Sequence, residues 1–146
     1  MKFLTTLLFS YQKGDTLSQN IQGKLTIKQD KIYIVDFFAS WCPSCEKEMP
    51  YISKVNNLIN KEKIEIIGVC VDEDINMGQK FQEELKQNNA LNFKVIDDTK
   101  GEIIKEFNPV DMPALFFIKE NKVVDSIIGA KDNIDKVILE ILKGLK

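Results

Sequence analysis

The chain has 146 residues, 44% apolar and 29% charged, with a formal net charge of −2; this is the size and composition of one soluble globular domain with a sizeable core. No block of like charge stands out, which argues against nucleic acid or an anionic membrane as the main partner. Histidine is absent, which removes His-based triads, His general bases and most zinc sites.

Taken in chain order, the start "MKFLTTLLFSYQKGD" carries a lysine and a short apolar patch from Phe3 to Phe9, interrupted by two threonines. Without a clear small-residue cleavage site it reads as an early strand rather than a signal peptide. Residues 24–28, "KLTIK", alternate and predict a short strand ending at Gln29-Asp30. "KIYIVDFFA", 31–39, is a nearly continuous apolar run, the pattern of a central strand covered on both faces. A helix of about four turns follows Cys42, with Met49, Ile52, Val55 and Ile59 near helical spacing. Pro50 inside it cannot donate to the carbonyl of Glu46 and predicts a kink.

"KIEIIGVCVD", 63–72, is a second buried strand, and 75–89 a helix with Met77, Phe81 and Leu85 on one face. "NFKVIDD" predicts a short strand, Thr99-Lys100-Gly101 a turn, and 102–107 a short helix. "ALFFIK" and "VVDSIIG", flanking Glu120-Asn121-Lys122, predict a β-hairpin. The last helix repeats Ile134, Val137, Ile138, Ile141, Leu142 and Leu145 at the amphipathic period. The expected architecture is α/β: one domain over 1–146 with a mixed sheet flanked by helices on both faces. Residues 1–23 form an N-terminal extension, read as a strand or hairpin.

Three cysteines, at 42, 45 and 70, are too few for a disulfide scaffold. If Pro43 takes the first helical position, where its missing N–H costs nothing, Cys42 is the N-cap. Its sulfur then meets unpaired N–H groups and the positive end of the helix dipole, which favour the thiolate and make Cys42 the expected nucleophile. Cys45, one turn later, can attack a mixed disulfide made by Cys42 and release the bound partner. The competing reading, half of a zinc site, needs a second CxxC or paired histidines, so neither metal nor cofactor is expected.

Asp36 shares a strand face with Ile32, Ile34 and Phe38. An isolated carboxylate there has a raised pKa and can exchange a proton with Cys45; alternatively it sits at a strand end and bonds a backbone amide. Glu48, just past Cys45, is either a second group that tunes the cysteines or a solvated helical glutamate. Cys70, mid-strand, reads as an inert core residue rather than a regulatory thiol. Trp41 is expected on the substrate surface, or packed over the loop.

"VDFFASWCPSC", Pro50 in the helix and "VDMPALFF" before a hairpin together resemble the thioredoxin superfamily. The insertion of about 25 residues between "GVCVDED" and the proline, with "WCPSCEKEMP", resembles its TlpA-like branch, the ResA and cytochrome c maturation type. The likeness runs from about residue 22 to the end. It implies a thioredoxin fold with the TlpA-type insertion, and a cis-proline at Pro113 facing the cysteines. The backbone around it binds an extended substrate segment, with Met112, Pro43 and Trp41 beside it. It also matches Asp36 to the superfamily's buried acid and Glu48 to the branch's acidic residue. Two positions depart from the pattern: Gly68 stands where thioredoxin carries a lysine, and Ala114 where some cytochrome c thioredoxins carry a glutamate.

The implied function is thiol–disulfide oxidoreduction, mainly reduction of protein disulfides, in cytochrome c maturation or extracytoplasmic thiol maintenance. The implied partners are a disulfide-containing protein substrate and a membrane thiol reductase as electron donor. The implied location is periplasmic or membrane-tethered. Two alternatives belong to other classes: a peroxiredoxin-type peroxidase, disfavoured by Ala39 where such enzymes usually carry a threonine, and a thioredoxin-like binding or chaperone module.

Overall fold

The computed structural model describes residues 9–145. Its elements run α1 (Gln19–Leu25), β1 (Ile32–Phe38), α2 (Pro43–Leu58), β2 (Ile64–Cys70), α3 (Ile75–Gln87), β3 (Lys94–Asp97), α4 (Glu102–Phe107), β4 (Ala114–Lys119), β5 (Lys122–Ile128) and α5 (Ile134–Gly144). The five strands form one sheet in the order β3-β2-β1-β4-β5. β1 pairs in parallel with β2, which pairs in parallel with β3, while β1–β4 and β4–β5 are antiparallel. This is the thioredoxin fold.

The alternation of β1 divides the core. Tyr33, Val35 and Phe37 pack with Ile67, Val69 and Phe116 against Ile21 and Leu25 of α1 and Ile103 and Phe107 of α4. Ile34, on the other face, joins Ile66, Leu115 and Phe117 under Ile52 and Val55 of α2 and Ile138 and Leu142 of α5. Toward the C-terminal ends of β1 and β2, Phe38 and Cys70 pack with Cys42, Cys45, Met49, Phe81 and Leu85. Apolar side chains on both faces thus make β1 the buried centre of the sheet.

Two expectations are corrected. "KLTIK" is no strand: α1 runs to Leu25 and ends on Thr26 in the left-handed region. Ser18 caps this helix by accepting the Ile21 N–H, and Ile21 and Leu25, four apart, are its buried stripe. Met77 is 58% exposed, because the first turn of α3 lies outside the cluster that buries Phe81 and Leu85. Pro50 lies inside α2, which spans Pro43 to Leu58.

Residues 3–8 of the expected early strand lie outside the described residues. Near the chain start, Thr16 makes an isolated bridge to Lys122. The hairpin forms as expected, around Glu120 and Asn121, both at positive φ, as a tight two-residue turn requires.

Candidate active site

The cysteines stand where β1 hands the chain to α2. Pro43 occupies the first turn of α2 and Cys42 is its N-cap, with an extended backbone and a sulfur that accepts the Cys45 N–H at 3.2 Å. Cys42 and Cys45 form a disulfide with their Cα atoms 5.3 Å apart. Cys42 is nearly buried and Cys45 more so. Cys45 Sγ lies 4.0 Å from the Phe37 carbonyl oxygen. The first sulfur therefore sits at the positive end of the helix and the second one turn deeper.

Three segments meet at this end of the sheet. Phe38 pairs with Cys70, and Phe37 with Ala114, so the residues after β1, after β2 and before β4 converge there. The peptide bond from Met112 to Pro113 is cis. Met112 packs on the cluster that holds both cysteines. Pro113 gives its carbonyl to the Gly129 N–H at 2.8 Å, which ties the segment to the end of β5. Trp41 is 63% exposed at the tip of the loop before Cys42.

Asp36 lies within β1, opposite Gly68 on one side and Leu115 on the other, rather than at a strand end. It is 1% exposed, and its Oδ2 has no hydrogen-bond partner. Burial, and secondarily the charge of Glu48, push its pKa well above the usual carboxylate value. Gly68 leaves no room for a countercharge: a Cβ there would meet the Phe38 ring at 2.9 Å and the Phe93 ring at 3.1 Å. The space beside Asp36 is taken by aromatic carbon.

Glu48 is 4% exposed, not solvated. Its Oε2 accepts the Lys131 N–H at 2.8 Å, while its Oε1 has no partner. Burial raises its pKa, against the lowering effect of Lys131. A cleft of about 400 Å³ runs from Ser44 past Lys47, Glu48 and Tyr51 to Lys131 and Asp132. A larger groove of about 710 Å³ lies at the far end of the sheet, between Lys31, Leu58, Lys63 and Leu145.

Cys70 is buried and its thiol is pushed up to about 12, chiefly by burial. It donates to Asp72 Oδ1 at 3.3 Å. Sequence reasoning missed both Asp72 and Lys131. Lys131 meets Glu48 across 83 positions, and no local spacing carries such a signal.

The AhpC/TSA family profile matches residues 8–127. Among curated relatives, the thiol-disulfide oxidoreductase ResA of Bacillus thuringiensis subsp. konkukian is 32% identical over 128 residues, covering 84% of this chain and 72% of its own. ResA of Geobacillus kaustophilus is 30% identical over 107 residues, and the match covers 73% of this chain but 59% of that longer protein. Among solved structures, the Chlorobium tepidum thiol:disulfide interchange protein DsbE superposes with a TM-score of 0.77 at 23% identity, over 94% of this chain and 100% of that one. The chain belongs to the AhpC/TSA family and, within the thioredoxin superfamily, to the TlpA-like branch of ResA-type thiol–disulfide oxidoreductases.

Proposed function

We propose that this protein reduces disulfides in other proteins through Cys42 and Cys45. The observation that carries the reading is the Cys42–Cys45 disulfide at the start of α2, with Cys42 as N-cap. In the dithiol form the Cys42 thiolate attacks one sulfur of a substrate disulfide. A mixed disulfide forms and the first substrate thiolate leaves. Cys45 then gives up its proton and attacks the Cys42 sulfur, expelling the second substrate thiolate. Two electrons pass to the substrate, and the protein is left with the Cys42–Cys45 disulfide.

Asp36 and Glu48 are the proposed proton acceptors for Cys45. Each is buried with one unpartnered oxygen, and burial raises the pKa of each above the ordinary carboxylate value, which makes it a better proton acceptor. Trp41, Pro43, Met112 and cis-Pro113 are the proposed substrate surface, supported by the exposure of Trp41 and the convergence of these segments. A membrane thiol reductase is the proposed electron donor, and an extracytoplasmic site the proposed location. The Mycobacterium tuberculosis homologue of similar fold is described as a secreted disulfide oxidoreductase, which supports that location. Cytochrome c maturation is the proposed setting among the processes such an enzyme could serve.

The test is disulfide exchange with a protein substrate. Cys42→Ser is expected to abolish exchange, and Cys45→Ser to accumulate the mixed disulfide. Exchange retained in Cys42→Ser would overturn the reading, and consumption of hydroperoxide in place of exchange would transfer the protein to the peroxidase class. The potential of the pair sets the direction: about −270 mV suits a reductase, and about −120 mV an oxidase.

A further inference from the structure

The loop that delivers Cys42 is held by a carboxylate outside the motif. Asp72, two residues past the end of β2, is buried. Its Oδ1 accepts the Ser40 backbone N–H at 2.8 Å, and its Oδ2 accepts the Ser40 hydroxyl. The Cys70 thiol donates to the same Oδ1 at 3.3 Å. One side chain thus takes three donors, two of them from a residue two positions before the nucleophile.

The neighbouring backbone shows what this holds in place. Cys42 N–H donates to the Ala39 carbonyl at 3.2 Å, closing a four-residue turn in which Ser40 is the second residue and Trp41 the third. Val71 N–H donates to the Phe38 carbonyl at 2.9 Å, so the pairing of β1 with β2 runs right up to this turn. The Ser40 N–H points away from the turn's own hydrogen bond, and the Asp72 carboxylate is its partner. Behind Asp72, α3 packs at glycine distance: a Cβ on Gly78 would stand 3.1 Å from the Cys70 sulfur and 3.2 Å from the Asp72 Cβ. The carboxylate is pressed from behind and bonded in front.

We propose that Asp72 is a positioning residue for thiol–disulfide exchange: through its paired hydrogen bonds to Ser40 it fixes the turn that sets Cys42 at the head of α2 and Trp41 toward the substrate. The inference rests on the oxidoreductase reading for its consequence in catalysis. Attack on a disulfide is geometrically demanding, since the nucleophile must approach along the axis of the bond it breaks. A turn free to rock would spread Cys42 over many approach angles, and a displacement near 1 Å can cost about 100-fold in rate. What Asp72 supplies is position rather than charge. An asparagine can reproduce it, with its carbonyl oxygen facing the Ser40 N–H and the Cys70 thiol and its amide donating to the Ser40 hydroxyl oxygen.

The experiment compares wild type with Asp72→Ala, Asp72→Asn, Ser40→Ala and Ser40→Thr. For each, the rate of attack of the dithiol form on a small aromatic disulfide, the rate of Cys42 alkylation by iodoacetamide and the thermal midpoint are measured. Asp72→Ala and Ser40→Ala are expected to slow exchange by about tenfold or more, while Asp72→Asn and Ser40→Thr stay within about twofold of wild type. A residue that merely supports the fold would lower the thermal midpoint and leave both rates unchanged at 25 °C. That result, or Asp72→Asn falling as far as Asp72→Ala, overturns the clamp. If Asp72→Ala does not fold, Ser40→Ala decides, because it removes one donor at the half-buried loop. A wild type that alkylates at Cys42 yet exchanges with no disulfide would defeat the oxidoreductase reading, and the alkylation rates would still judge the clamp.

Discussion

Two pairs of buried acids occupy the same end of this sheet, and they are built in opposite ways. Asp72 and Asp98 have both carboxylate oxygens hydrogen-bonded: Asp72 by Ser40 and Cys70, Asp98 by the N–H groups of Ile103 and Ile104 at the start of α4. Asp36 and Glu48 each keep one buried oxygen without a partner. A buried carboxylate that is fully bonded organises backbone, because removing it orphans the donors it served. A buried carboxylate left partly unbonded is held at a cost, and burial raises its pKa above the ordinary carboxylate value. The same residue type is therefore fully bonded in one pair and left with an open oxygen in the other, and the proton-transfer role proposed for Asp36 and Glu48 belongs to the second pair.

The sharpest way to break this contrast is Asp98→Ala. Ile103 and Ile104 would lose their acceptor at a buried helix start, at an expected cost of about 2–3 kcal/mol, read from the denaturant midpoint of the oxidised protein. A loss under half of that would mean that water replaces the carboxylate, and the scaffold class would fail for Asp98.

Asp36 is expected to act in the other direction. Its pKa in the folded protein is raised above the ordinary 3.8 by burial and then by Glu48. Folded protein therefore holds a proton that the unfolded chain has already released. Stability is greatest below the ordinary value and falls as pH rises toward the folded-state value. Asp36→Asn removes this proton, so unfolding midpoints measured from pH 4 upward should decline less steeply in the variant than in wild type. Parallel slopes would show that Asp36 titrates normally and would remove it from the proton path.

The smallest expected effect lies two residues from Glu48. Glu46 is exposed in the first turn of the same helix, and Glu46→Gln should change stability by less than about 0.5 kcal/mol and leave exchange untouched. A larger loss of exchange would place the useful carboxylate of α2 on its exposed face, and Glu48 would lose its role.

Much of this was legible in the chain itself. The apolar run of β1, the proline after Cys42 and the amphipathic period of α5 are local signals, and each element formed where its pattern lies. The N-cap position of Cys42 followed from Pro43 alone. The misreadings were local as well. "KLTIK" alternates like a strand, but Ser18 and the spacing of Ile21 and Leu25 carried the stronger helical signal. Glu48 could be read as solvated because most helical glutamates at such positions face water; what buries it is α2 lying beside the segment that carries Lys131.

What the sequence determined by itself is therefore the redox pair, its polarity along the helix and the strand face of Asp36, since these depend on residues within one or two turns of each other. The tertiary structure alone decided which acids are bonded and which are not. Asp72 reaches Ser40 across 32 positions, and Glu48 reaches the Lys131 N–H across 83. Gly68 excludes a countercharge from Asp36 only because the rings of Phe38 and Phe93 close over it. Hydrogen-bond satisfaction is a property of what packs nearby, and packing brings together residues whose separation in the chain carries no pattern.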